Sequence, residues 1–152
     1  MKSSVIVLIL CFLLGACGNN PGSNTKIATD TTKIANATTE CYAYINNKDT
    51  ITLQITINDH AVSGDLNYSL YEKDNSQGVI QGEIRGDTLL ADYEFKSEGI
   101  VSLREVAFLK KEGGYAEGYG DAEEKDGKMM FKNVAELNYS NTVILKKTNC
   151  SK

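Results

Sequence analysis

From Ile51 onward the chain is written in a period of two. Ile51, Leu53, Ile55 and Ile57 alternate with Thr52, Gln54 and Thr56. Successive side chains of a strand point to opposite faces, so this pattern buries one face and wets the other, which a helical period of 3.6 does not do. The pattern returns after each turn. Val62, Gly64, Leu66, Tyr68 and Leu70 share a face, as do Ile80, Gly82 and Ile84, and then Leu89, Ala91, Tyr93 and Phe95. The breaks between runs are short and carry turn residues: Asn58-Asp59-His60, Arg85-Gly86-Asp87, Ser97-Glu98-Gly99, Glu112-Gly113-Gly114 and Asp126-Gly127. Only the stretch Asp74 to Gly78 reads as a longer loop. Links this short join antiparallel neighbours.

Ile100 to Leu109 is apolar on both faces, as expected of a strand that is central or covered twice. Tyr115 to Glu123, Lys128 to Lys132 and Thr142 to Lys147 complete a set of about eight strands, and Lys132 to Asn138 reads as a single helical turn or a loop. The expected fold is all-β: one small antiparallel up-and-down barrel or meander, with a sandwich as the alternative. Eight strands can close and so remove their edges.

The amino terminus is of another kind. Lys2 precedes an apolar run from Val5 to Leu14, too short to cross a bilayer core of about 30 Å as a helix but suited to a signal peptide. Leu14-Gly15-Ala16-Cys17 follows and closely resembles the lipobox of bacterial lipoproteins. That resemblance implies cleavage before Cys17, a thioether-linked diacylglycerol on its sulfur and an acyl chain such as palmitate on the new amino group. Two or three chains hold a membrane far better than one, at about 0.8 kcal/mol per buried CH₂. In lipoproteins of two-membrane cells an aspartate after the cysteine favours the inner membrane; Gly18 here leans to the outer one. The expected organisation is therefore a signal peptide over 1–16, a lipidated flexible tether over 17–39 and a β domain over 40–152. The tether is rich in Asn, Thr, Gly, Ser and Ala and too poor in apolar residues to join a core.

Export bears on the cysteines. Cys11 would leave with the signal and Cys17 would carry lipid, so Cys41 and Cys150 stand at the two ends of the domain. In an oxidising compartment such a pair is expected to form a disulfide, the alternative being two unrelated thiols. No Cys-x-x-Cys is present to frame redox or zinc chemistry. Removing Met1 to Ala16 takes away Lys2 alone from 16 basic residues, against 20 acidic ones, a net charge of −5. An acidic chain with no basic run is a poor partner for nucleic acid or anionic headgroups.

Between Cys41 and Cys150 the chain also resembles a group of small, uncharacterised lipoproteins typical of the Bacteroidetes. The residues behind this are Cys41-Tyr42, Val62-Ser63-Gly64-Asp65-Leu66, Gly86-Asp87-Thr88-Leu89, Ala91-Asp92-Tyr93 and Glu117-Gly118-Tyr119-Gly120. The group brings no catalytic residues with it. More loosely, a lipid-anchored small barrel with a disulfide is similar to periplasmic lysozyme inhibitors, whose Ser/Gly-rich plugging loop has no counterpart here beyond Gly113-Gly114-Tyr115.

Candidate chemistry is sparse. His60 is the single histidine and sits beside Asp59 in a turn, so neither a Ser-His-Asp set nor a histidine metal site is supported. Asp121, Glu123, Glu124 and Asp126 cluster at a hairpin without calcium-loop spacing. Arg104-Glu105 is more informative. Both faces of its strand are otherwise apolar, so one of these charges must lie near the core, and a buried charge needs a partner. Tyr115, Glu117 and Tyr119 share the next strand's face, opposite Ala116, Gly118 and Gly120. Tyrosines there suit either core packing or a recognition surface.

The sequence thus predicts a non-enzymatic, lipid-anchored binding module of the cell envelope that uses no cofactor. Its expected partner is a small amphipathic ligand or a protein. An envelope inhibitor or structural partner is the alternative, and Arg104, Glu105, Tyr115, Glu117 and Tyr119 form the candidate face.

Overall fold

A computed structural model describes residues 37–150. The signal segment, Cys17 and nearly all of the tether lie outside the described residues. Ten strands form one sheet: β1 (Thr38–Asn46), β2 (Asp49–Asn58), β3 (Ala61–Ser69), β4 (Ser76–Arg85), β5 (Thr88–Ser97), β6 (Ile100–Lys111), β7 (Gly114–Tyr119), β8 (Ala122–Lys125), β9 (Lys128–Phe131) and β10 (Asn138–Thr148). Each of β1 to β6 pairs antiparallel with the next, and β10 lies between β7 and β1. Those eight strands close an up-and-down barrel, while β8 and β9 form an added hairpin. The barrel expectation holds and the sandwich does not.

The membership of the barrel differs from the sequence reading. That reading began its strands at Ile51 and counted Lys128–Lys132 in the wall. In the fold, Thr38–Asn46 is a wall strand, paired along its length with β2. Lys128–Phe131 instead touches the wall at one parallel bridge, Arg104 to Met129. The stretch expected as one strand from Tyr115 to Glu123 breaks at Gly120-Asp121 into β7 and β8. The expected short helical turn is a 3₁₀ turn at Val134–Glu136, where the Asn133 side chain accepts from the Ala135 N–H.

The turns explain the tight meander. Glu98-Gly99 and Asp126-Gly127 each hold two consecutive residues at positive φ, the geometry whose twist matches a two-residue hairpin. Strand directions then sort the links to two ends. The base carries the turns at Asp59-His60, Gly86-Asp87 and Glu112-Gly113, with Thr38 and Thr148. The mouth carries Asn47-Lys48, Leu70–Asn75, Glu98-Gly99 and the excursion from Gly120 to Leu137.

The lumen is a core. Leu53, Ile55, Leu66, Ile80, Leu89, Phe108 and Leu145 are fully buried in it. An eight-stranded barrel is just wide enough for its side chains to fill. Gly64 on β3 faces inward where the wall folds over itself: a Cβ there would sit 1.9 Å from the Gln54 carbonyl oxygen. Two seams are short. β1 meets β10 only over Cys41–Ala43, and β6 meets β7 only over Phe108–Lys111. Towards the mouth both seams part. The Cys41–Cys150 disulfide, with Cα atoms 5.2 Å apart, fastens the first of them at the base.

The doubly apolar β6 is covered twice, as expected. Val106 and Phe108 face the lumen. Ala107, on the outer face, is buried with Leu90 and Leu137, against which Phe131, Val134 and Tyr139 pack. The small residues of β7 permit that cover. A Cβ on Gly118 would meet the Tyr139 ring at 2.7 Å, and one on Gly120 would meet Leu137 at 2.6 Å.

Candidate functional site

β6 and β7 bring three of the five candidate residues together at the mouth. Glu117 is 2% exposed, the one charged side chain buried among the described residues. Its oxygens accept hydrogen bonds from the Tyr68 hydroxyl at 2.7 Å and the Tyr119 hydroxyl at 2.9 Å. Tyr68 comes from β3, four strands round an eight-strand wall, so the first of these bonds crosses the lumen. Arg104 approaches the same carboxylate from β6, with a guanidinium nitrogen 3.7 Å from Oε1. That is longer than a hydrogen bond. Arg104 also stands 5.5 to 5.8 Å from the ring centroids of Tyr68, Tyr93 and Phe95. A guanidinium is weakly hydrated and favours aromatic faces, which accounts for a charge at this depth.

Burial sets the protonation of the surrounding tyrosines. Desolvation, reinforced by the Glu117 charge, pushes the Tyr68 and Tyr119 hydroxyls well above the usual tyrosine value, and Arg104 opposes the rise in both. The phenols therefore stay neutral donors to the carboxylate. Tyr93 is also raised by desolvation, and its hydroxyl donates to the Leu66 carbonyl at 2.8 Å. No buried side-chain nitrogen or oxygen among the described residues lacks a partner.

Glu105 points the other way, to the outer wall, where it accepts from the Phe131 N–H at 2.9 Å and lies 3.9 Å from Lys128. Lys128 is held more closely by Asp92, at 2.7 Å. Tyr115 does not belong to the cluster. It is core, packed edge-on against Tyr42 with centroids 4.9 Å apart. Cys41 and Cys150 are bonded. Cys17 lies outside the described residues.

Because β6 and β7 part beyond Phe108 and Glu117, a cleft opens between them at the mouth, closed on its outer side by the β8–β9 hairpin. It measures about 260 Å³ and is lined by Arg104, Glu105, Glu117, Tyr119, Met129 and Phe131 among others. Three of its nine lining residues are charged and the others are aromatic, apolar or glycine, so the cleft is amphipathic. Apolar side chains also crowd the mouth's rim: Ile45, Tyr71, Ile100, Val101 and Tyr119 are each at least half exposed.

No family model, curated protein or solved structure matches the chain.

The sequence reading missed Tyr68, Tyr93, Met129 and Phe131 as parts of this site. The first two were legible only as core positions of their strands. The last two reach the cleft through one parallel bridge, which no local pattern signals. His60 and Asp59 sit at the base, 3.8 Å apart and both largely exposed, at the opposite end from the cleft. Among the described residues no three His, Cys, Asp or Glu side chains converge as a metal would need.

Proposed function

We propose that this chain is a lipid-anchored envelope protein that binds, rather than transforms, a small amphipathic ligand in the cleft between β6 and β7. The observation that carries the reading is Arg104. It lines an amphipathic cleft, yet the nearest carboxylate lies beyond hydrogen-bonding distance and has both oxygens engaged by tyrosines. Its donors can therefore take an acceptor head group while Met129 and Phe131 receive an apolar tail. At about 260 Å³ the cleft falls just below the usual range of ligand sites, which run from roughly 300 Å³ upward, and suits only a short chain. The lumen itself is filled and offers no such room.

The test uses the lipidated protein in nanodiscs, titrated with octanoate and with octanamide. Octanoate binding that is lost in Arg104→Gln and kept in Lys96→Gln supports the proposal. No binding of either compound, or binding indifferent to Arg104, removes it. The anchor has its own test. Intact mass spectrometry of the protein from its own cells should find Met1–Ala16 gone and a diacylglycerol on Cys17.

A protein partner is the second reading, favoured by the apolar rim of the mouth. β1 starts at the base with Thr38, so a tether leading into it would leave the rim at the far end. A stoichiometric partner cross-linked through Ile100→Cys but not through Asp87→Cys would support this reading over the first.

A further inference from the structure

The outer wall of β1 to β5 carries a second feature that the mouth cleft does not use. Two depressions of about 540 and 340 Å³ adjoin there and share Thr52 and Asn67, whose side chains are hydrogen-bonded at 3.3 Å. Together they run from the disulfide and Asn149 at the base to Gln77 and Glu98 at the mouth. At about 4.8 Å per strand the five strands span about 19 Å, the scale of a short oligomer.

The chemistry of the lining is unusual for this chain. Its centre is built from the amides of Gln54, Asn67 and Gln77 and the hydroxyls of Thr50, Thr52 and Ser69. The charged residues of the lining, Asp65, Lys96 and Glu98, are few in a chain of which 24% is charged. Amides and hydroxyls both donate and accept, so they match a ligand whose groups also do both. A polyhydroxylated chain fits that description. An extended peptide fits less well, because it gains affinity mainly by adding to a free strand edge. Here β2, β3 and β4 are paired on both sides along nearly their whole length, and no edge is offered. An apolar ligand would strand these polar groups without partners.

We infer that this wall is a binding groove for a neutral oligosaccharide, held by the side-chain amides of Gln54, Asn67 and Gln77. The groove and the Arg104 cleft are separate sites, and the inference stands whether or not the cleft binds.

The experiment is two-dimensional NMR of Asn and Gln side-chain amides in the full-length protein, titrated with maltotetraose, cellotetraose, mannotetraose and chitotetraose. At least one glycan should shift the amides of Gln54, Asn67 and Gln77 while leaving that of Asn133 in place. Asn67→Ala with Gln77→Ala should weaken that binding by about tenfold or more, as loss of one or two net hydrogen bonds implies. Arg104→Gln should leave it unchanged. Silence of all four glycans at about 10 mM, a concentration that would reveal even weak sites, overturns the inference. So does binding that survives the double variant with the fold intact, or binding of tetra-alanine in place of every glycan.

Discussion

Removing the Cys41–Cys150 bond should cost this domain a large part of its stability, and the size follows from the topology. The two cysteines are 109 residues apart in sequence, so the bond closes nearly the whole domain into one loop. The chain-entropy relation then gives about 4.8 kcal/mol at 25 °C. With an unfolding entropy of about 2.1 cal/mol/K per residue over about 110 residues, that is a fall of about 20 °C in Tm. Beside the bond the seam is spanned by a Lys147–Glu40 ion pair at 2.6 Å, whose lysine is mostly exposed and which is worth little by comparison. The β1–β10 seam that closes the barrel is paired only over Cys41–Ala43, and the disulfide lies at its base end. The assay is urea unfolding of Cys41→Ser/Cys150→Ser beside the oxidised parent, followed by far-ultraviolet circular dichroism at neutral pH. A loss of about 4–5 kcal/mol is expected, with hydrogen exchange accelerated first in β1 and β10. A loss below about 1 kcal/mol would refute the reasoning, because the open chain would then already hold its ends together when unfolded.

Glu117→Ala should destabilise by about 3 kcal/mol, since it strips the partner from Arg104 and leaves the Tyr68 hydroxyl in the lumen without an acceptor. Glu117→Gln keeps one acceptor and should cost about half as much; equal losses in urea titrations would show that the carboxylate's charge matters more than its geometry. Gly64→Ala should cost about 3 kcal/mol or prevent folding, because its Cβ collides with backbone rather than with a movable side chain. Stability should also fall as pH rises above 10. Burial raises the Tyr42, Tyr68, Tyr93, Tyr115 and Tyr119 hydroxyls above their ordinary 10, so the unfolded chain gives up these protons first. Their tyrosinate absorbance should appear together with loss of the β signal, and gradual titration of the folded state would contradict this. At the acid end Glu40, lowered by hydrogen bonds from Lys147 and then Tyr42, contributes fully above its ordinary 4.5 and loses that contribution as pH falls through its lowered value. The urea midpoint should rise between those limits.

Much of the wall was legible because period two and the turn residues are local signals. The alternation through β2, β3, β4 and β5 placed Leu53, Leu66, Ile80 and Tyr93 in the core correctly, and Gly86, Gly99 and Gly127 marked real reversals. β1 was missed because Thr38–Asn46 offers Tyr42, Tyr44 and a half-exposed edge rather than a run of aliphatic residues; its strand state depends on pairing with β2 and on the disulfide. β9 was miscounted because Lys128–Phe131 is a good strand by composition, and composition does not tell which sheet edge it joins. Arg104-Glu105 stands out because charge on an otherwise apolar strand face must find partners, and both side chains have them; Glu117 reads in the sequence only as part of a tyrosine-bearing face, which does not signal its burial. Its partner Tyr68 lies across the lumen, a relation set by barrel closure and carried by no spacing in the chain.

Both ends of the lumen are finished in the same way. At the base Glu40 accepts from Lys147 and from Tyr42, each at 2.6 Å; at the mouth Glu117 accepts from Tyr68 and Tyr119 beside Arg104. Between the two lies an apolar core of fully buried side chains. A barrel of eight strands whose interior is spoken for by its own side chains cannot receive a ligand along its axis without losing packing worth several kcal/mol, at about 2–5 kcal/mol per displaced large side chain. Binding is thereby pushed to places where the wall is incomplete or its outer face is lined with hydrogen-bonding groups. The parted β6–β7 seam is of the first kind and the Thr52–Asn67 groove is of the second. Neither is independent of the residues that hold the barrel shut: Arg104 and Glu117 belong to both the cleft and the plug, and Cys41 and Tyr68 line the groove.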